Sequence, residues 1–162
     1  MRIIVKNKIM SIGGDSAVQD EQGNNLLKVD GKWLSPTRKK KIYDLEGNLL
    51  YTIRNKWFNF IRQSAYVYDE NNQKIATVFS KSFKFENRYH IEDCADSIVI
   101  EGKAFRSGYQ VIKNDQQVAY IKRDSMIIAD AFTIDTEDTA NAPFYVALAI
   151  AMDNIIDERR KS

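Results

Sequence analysis

A pattern repeated at an offset of 24 residues constrains the fold of this chain more than any other feature. Residues 18–35 and 42–59 align over their whole length, and a weaker third copy starts at Asp69, with Asn72 at the glycine position. A fourth fragment at 115–121 repeats the alanine-centred part, which is Ile75 to Val78 in the third copy. The aligned pairs share residue type or apolar character: Asp20 with Asp44, Gly23 with Gly47, Asn24 with Asn48, Leu26 with Leu50, Val29 with Ile53, and Trp33 with Trp57.

Each copy of this repeat predicts a β-hairpin. An Asp carboxylate accepts a hydrogen bond from the backbone two residues further on, and Gly or Asn tolerates the positive φ of a tight turn. The spacing lacks the alternating oxygen ligands of an EF-hand loop, so a turn is favoured over a calcium loop.

The same alternation of apolar and polar residues predicts twelve strands before residue 137. They lie near 3–8, 16–19, 25–29, 40–44, 49–55, 65–68, 74–79, 87–91, 97–101, 109–113, 118–123 and 131–134. Short strands at such regular spacing are typical of an all-β barrel or sandwich. No βαβ alternation is present, which argues against a parallel sheet.

The pattern changes to helical near residue 142. Asn141 and Pro143 suit a helix start, and a helix is predicted over about 142–160. Residues 144–152 are all apolar or aromatic, so the helix has no polar stripe and must be buried on every side. We therefore expect one domain over 1–162, in which a closed barrel of about twelve mostly antiparallel strands (about 3–134) surrounds this helix.

The order of these segments resembles the LURP-one-related family. The resemblance rests on the hairpin series 18–23 and 42–48, on 66–69, on 98–102 and on the helix segment 147–153. That family is grouped with tubby-like and phospholipid-scramblase proteins. The resemblance implies a twelve-stranded barrel around a central hydrophobic helix, in a bacterial member of the family, and it implies a non-enzymatic binding or scaffolding domain.

Composition excludes several functional classes. The chain has 24 Lys and Arg against 22 Asp and Glu, which argues against a nucleic-acid partner. One Cys cannot form an intramolecular disulfide, one Cys and one His cannot supply a usual zinc site, and no metal or other cofactor is expected. No secretory signal or transmembrane segment is predicted. The expected location is cytoplasmic or peripheral at a membrane.

The densest basic run is a candidate contact for anionic lipid: Arg38, Lys39, Lys40 and Lys41. The resemblance to tubby-like and scramblase proteins makes peripheral binding of anionic phospholipid headgroups the alternative function. The more ordinary interpretation of the run is a solvated strand edge, because lysines prevent edge pairing. In a regular strand only about half of the four cations can share one face.

Catalytic chemistry has weak support in the sequence. His90 has no accompanying nucleophile elbow, and the carboxylates around Cys94 disfavour a thiolate. The acids Asp135, Glu137 and Asp138 stand where scramblases carry a calcium-binding segment, but the segment is shorter here, and calcium binding is left open. An enzyme would need paired carboxylates in an open cleft.

Overall fold

The architecture is given by a computed structural model, which describes residues 1–6, 16–31, 35–57, 62–81, 88–102, 108–124 and 131–161. Within these residues it contains twelve strands and one helix. They are β1 (Arg2–Lys6), β2 (Ser16–Asp20), β3 (Asn25–Gly31), β4 (Lys40–Tyr43), β5 (Leu49–Asn55), β6 (Ser64–Tyr68), β7 (Lys74–Phe79), β8 (Arg88–Glu92), β9 (Ile98–Gly102), β10 (Gly108–Lys113), β11 (Gln116–Asp124), β12 (Ala131–Thr136) and α1 (Ala142–Lys161).

The strands form a closed antiparallel barrel, as the sequence predicts. Each strand pairs with its neighbours in the chain, and β1 closes the ring by pairing with both β2 and β12. The closing register places Ile3 opposite Ile134. Every predicted strand is present within a few residues. Residues 7, 8 and 87 of the predicted strands, and Trp33 of the repeat, lie outside the described residues.

The repeat forms hairpins with the predicted turn chemistry. Gly23 and Gly47 have φ angles of 84° and 90°, and Asn72 takes the equivalent position with a φ of 61°. In the first copy, the Asp20 carboxylate accepts hydrogen bonds from the backbone of Gln22 and Asn24 at 2.9 and 2.8 Å. A register shift precedes each of these turns, which is the signature of a β-bulge. The repeat is therefore a bulged hairpin used three times.

The helix α1 lies in the interior of the barrel. Its residues from Tyr145 to Ile155 are all buried, which requires protein on every side of the helix. Inward-facing strand residues such as Ile42, Ile53 and Ile134 belong to the same apolar core. No helix in the described part of the chain is both long and apolar enough to cross a membrane.

The two ends of the barrel differ. At one end, called the turn end here, the tight hairpin turns such as those of β2–β3 and β8–β9 surround the start of α1. At the opposite end, called the exit end, the last turns of α1 meet the start of β4 and the end of β11. Polar side chains that contact the helix are found at both ends, and these ends hold the candidate sites.

Candidate functional site

The four cations of the basic run are divided between the two faces of the barrel wall. Ile42 is fully buried inside the barrel, so Lys40, two residues earlier on β4, faces the same way, and Lys41 faces outward. Lys39 is exposed. The strand-edge interpretation is wrong, because β4 pairs with β3 on one side and with β5 on the other. A closed barrel leaves no edge there to protect.

Arg38 and Lys40 face acids of the helix. The Arg38 guanidinium lies 3.6 Å from the Asp157 carboxylate. The backbone carbonyl of Arg38 accepts a hydrogen bond from the side chain of Asn154 at 3.2 Å. Burial lowers the pKa of Lys40 below its usual 10.5, and attraction to Asp153 and Asp157 only partly offsets this effect. These two cations are therefore occupied in holding the end of α1.

The exit end contains further polar contacts. Arg123 of β11 lies 3.2 Å from Asp153 and 3.4 Å from Asp157. Asn55 of β5, which is 3% exposed, donates to a Glu158 carboxylate oxygen at 2.9 Å. Among the described residues, the side-chain oxygen of Asn55 has no hydrogen-bond partner. The exit end is thus a network of opposite charges between the barrel wall and the helix.

Of the three acids compared with the scramblase segment, Asp135 lies near the end of β12, and Glu137 and Asp138 lie in the connection from β12 to α1. Asp135 accepts from Arg2 at 2.7 Å, while Asp138 accepts from the Tyr145 hydroxyl at 2.7 Å. Glu137 is exposed. All three line an open groove of about 730 Å³. Within the described residues, no group of three or more His, Cys, Asp or Glu side chains could hold a metal ion.

The single histidine lies on the outer wall of the barrel. His90 stacks on Phe79 with ring centroids 5.4 Å apart, and the Arg62 guanidinium covers the same Phe79 ring at 3.7 Å. Phe79 is 2% exposed but is outside the interior core. His90 therefore packs over an apolar ring, and this contact indicates a role in packing the outer wall.

An open cleft of about 440 Å³ lies at the turn end, beside the first turn of α1. Its volume falls in the range of about 300–1,000 Å³ that is usual for small-molecule sites. One side is apolar and aromatic, with Ile75 and the rings of Tyr51, Phe144 and Tyr145. The other side carries the β8–β9 turn with the only cysteine, Cys94.

Two ion pairs border this turn-end cleft. Lys74 lies 2.9 Å from Asp93, and Lys113 lies 2.9 Å from Asp96. The Thr77 hydroxyl donates to Asp93 at 2.6 Å, and this bond together with the one from Lys74 lowers the pKa of Asp93. The hydrogen bond with Asp96 raises the pKa of Lys113. Both pairs therefore stay charged at neutral pH.

The phenols in the cleft ionise with difficulty. Burial raises the pKa of Tyr145, and the hydrogen bond and negative charge of Asp138 add to this effect. Burial also raises the pKa of Tyr51, with smaller contributions from Glu70 and Asp69. Both tyrosines remain neutral at physiological pH, so neither supplies a reactive phenolate, and the Tyr145 hydroxyl already donates to Asp138.

Sequence reasoning missed this cleft, although its parts were visible. The apolar run predicts that Phe144 and Tyr145 are both buried; Tyr145 is buried, but Phe144 is half-buried, and the sequence indicates no lining role for Cys94. The usable signal was that Phe144 follows the helix start directly, where α1 enters the barrel. A residue at that position is half-buried and can face the turns.

Both the sequence and the architecture have relatives among known proteins. The model of the LURP-one-related family matches residues 1–153. The structure is similar to an X-ray structure of a protein from Arabidopsis thaliana, with a TM-score of 0.58 and 18% sequence identity, over 95% of this chain and 91% of that one. At this identity the likeness shows the fold alone. No curated protein matches the chain.

Proposed function

Because the chain belongs to the LURP-one-related family, we propose that it is a binding domain without enzymatic activity and that its ligand occupies the turn-end cleft. The observation that carries this proposal is the combination of an apolar, aromatic wall with charged groups in one open cleft. Small-molecule sites typically combine an apolar lining with a few fixed polar groups. The closed barrel supplies a rigid frame for such a site.

The chemistry of the cleft argues for binding over catalysis. A catalytic carboxylate that works as an acid near neutral pH needs a raised pKa. The pKa values of Asp93 and Asp96 are lowered, first by hydrogen bonds from Thr77 and Lys113 respectively. Both carboxylates are therefore held ionised, which suits groups that orient a ligand or balance its charge.

The proposal is tested by blocking the cleft. Ala95 is an exposed lining residue, so Ala95→Trp fills the opening without disturbing the core. Three probes are used: choline, the neutral alcohol in which a carbon atom replaces the choline nitrogen, and the anion pivalate. Their binding is followed by the shifts that they cause in the resonances of isotope-labelled protein. We expect at least one probe to shift cleft resonances such as those of Phe144 in the wild type and not in Ala95→Trp.

The matched control is Gln22→Trp, which places the same side chain on an exposed turn of the β2–β3 hairpin, away from the cleft lining. This variant should bind the probes as the wild type does. If none of the three probes shifts cleft resonances, or if Ala95→Trp leaves the shifts intact, the cleft is not the binding site.

The peripheral binding of anionic phospholipid is a second candidate, favoured by the surface near the basic run. The backbone N–H of Asn55 donates to the Thr37 carbonyl at 2.7 Å, and this bond brings Lys56 and Trp57 beside the residues that lead to Lys39. Trp57 is 62% exposed. With Lys41, this surface offers three cations and an aromatic ring to a membrane.

The expected strength of this docking is low. Three cations contribute about 1 kcal/mol each near an anionic surface, which corresponds to millimolar binding. Arg38 and Lys40 add nothing, because they face Asp157 and Asp153 in the exit-end network. We therefore expect weak and salt-sensitive association without headgroup preference.

Co-sedimentation with anionic and neutral liposomes tests this candidate. Lys39→Ser/Lys41→Ser should abolish the binding, whereas Arg88→Ser/Lys122→Ser, which removes two cations from β8 and β11, should retain it. Tight binding to one lipid that survives physiological salt would make membrane recognition the leading function. Equal binding by both double variants would reject the Lys39 and Lys41 surface.

A further inference from the structure

We propose, on the basis of the cleft function above, that the ligand of the turn-end cleft is a small organic cation, an ammonium group attached to an apolar body. The inference starts from the rings that form the wall of the cleft. The two partly exposed rings, Tyr51 and Phe144, are tilted against each other with centroids 5.9 Å apart. Clustered ring faces are the usual receptor for ammonium ligands.

The rings are partly accessible from the cleft. Tyr51 and Phe144 are half-buried, so each combines contact with the core and contact with solvent. The negative face of an aromatic ring attracts a cation held over it. A quaternary ammonium group fits such a site well, because it is large and weakly hydrated and needs no hydrogen-bond acceptor. The apolar wall at Ile75 can receive the remainder of the ligand.

The charges around the cleft favour a cation over an anion. Asp93 and Asp96 line it, Asp138 contacts the Tyr145 hydroxyl, and Asp69 and Glu70 act on the Tyr51 hydroxyl. Against these five carboxylates stand, in the described part of the chain, the ammonium groups of Lys74 and Lys113, the Arg62 guanidinium that acts on Asp93, and the partial positive charge of the first turn of α1.

The two lysines are committed to existing pairs. Their ammonium groups lie 2.9 Å from Asp93 and Asp96 respectively. The Lys74 ammonium also lies 5.2 Å from the centre of the Tyr66 ring, outside the Tyr51 and Phe144 pair. An anionic ligand would have to break these pairs to reach an ammonium group, and the carboxylates of Asp69, Glu70 and Asp138 would repel it. A cation is attracted by the same carboxylates and leaves both pairs intact.

The test compares the affinities of the three probes, measured from the cleft resonances. Choline should bind at least fivefold more tightly than its neutral carbon isostere, and pivalate should bind more weakly than either. The cation and the alcohol have nearly the same shape, so the difference isolates the charge. Measurements at low ionic strength enlarge the effect, and added salt should reduce it.

Variants separate the ring contribution from the charge contribution. Phe144→Leu keeps an apolar side chain but removes the ring. It should lower the affinity for choline about fivefold and change the affinity for the neutral alcohol by no more than about twofold. Glu70→Gln should weaken choline by about twofold. The control for the second variant is Glu46→Gln, because Glu46 is likewise an exposed acid in a hairpin turn, that of β4–β5, and is absent from the charges that act on Tyr51.

The outcomes distinguish this inference from the proposal on which it rests. If the neutral alcohol or pivalate binds the cleft as well as choline does, the cleft is a binding site and the cation inference is wrong. If Phe144→Leu lowers the affinities for choline and for the alcohol equally, the ring acts only as apolar surface, and the cation inference is again wrong. If no probe binds, the cleft proposal fails first.

Discussion

The guanidinium of Arg123 lies 3.2 Å from the carboxylate of Asp153, and the two side chains are only 18% and 4% exposed. This pair joins the end of β11 to the interior helix. Removing one member of a buried pair costs more than removing both, because the survivor keeps a charge without its partner.

We expect Arg123→Met to lower the free energy of unfolding by about 3 kcal/mol, and Arg123→Met/Asp153→Leu to recover part of that loss. Urea unfolding measures both. The control is Arg88→Met, because Arg88 pairs with Glu101 at 2.8 Å on the exposed wall. Loss of that pair should cost about 1 kcal/mol or less. Equal losses at Arg88 and Arg123 would contradict the buried character of the exit-end network.

The stability of the protein should depend on pH through Lys40. Burial lowers its pKa in the folded state below 10.5, so the unfolded chain binds the proton more tightly. Stability therefore rises with pH between the folded pKa and 10.5, and the rise should disappear in Lys40→Met. Unfolding free energies from neutral pH to 10.5 test this expectation.

Lys41→Met is the control for this pH dependence, since Lys41 lies next to Lys40 and faces outward. It should keep the wild-type slope. A slope that is the same in the wild type and in Lys40→Met would show that Lys40 titrates as a solvated lysine does.

The enclosed helix predicts that charge is not tolerated in its middle. Leu148 is fully buried, and Leu148→Asp would place an unpaired carboxylate in the core at a cost of several kcal/mol. Since domains have about 5–15 kcal/mol of stability, this variant should not fold. Circular dichroism and solubility report the result. Asp157→Leu, at the partly exposed end of the same helix, should still fold, and native-like Leu148→Asp would contradict the enclosed position.

The substitutions tolerated at the turn glycines should be limited by the backbone φ angle and not by the space available for a side chain. A side chain added at Gly23 or Gly47 meets no atom within 4 Å, yet both residues have a positive φ. Gly47→Val should cost about 1–2 kcal/mol, and Gly47→Asn should cost less because Asn tolerates this conformation. Thermal unfolding compares the two variants. Equal destabilisation by Val and Asn would mean that the φ angle is not the constraint.

Local signals were enough to predict most of this fold. The positions of Asp20 and Gly23, repeated at Asp44 and Gly47, encode the hairpins through hydrogen bonds between residues close in sequence. The apolar character of 144–152 encodes a helix buried on all sides. Together they imply a closed sheet, because twelve strands have to surround that helix.

The candidate site could not be predicted in the same way, because it joins distant residues. The contact of Tyr51 with Phe144 depends on the depth at which the helix enters the barrel. The inward direction of Lys40 follows from its two-residue spacing to Ile42, a signal that the sequence did carry. That its pKa is lowered depends on burial and on Asp153 and Asp157, which approach only in the folded chain.

Alkylation of Cys94 tests the central claim, that the turn-end cleft binds an organic cation, most directly. Cys94 is the only cysteine of the chain and lines the cleft, so its rate of reaction with iodoacetamide, followed by mass spectrometry, reports occupancy. We predict that choline slows the reaction in proportion to its occupancy, that the carbon isostere slows it less, and that pivalate leaves it unchanged. A rate unaffected by choline, or slowed equally by pivalate, would contradict the claim.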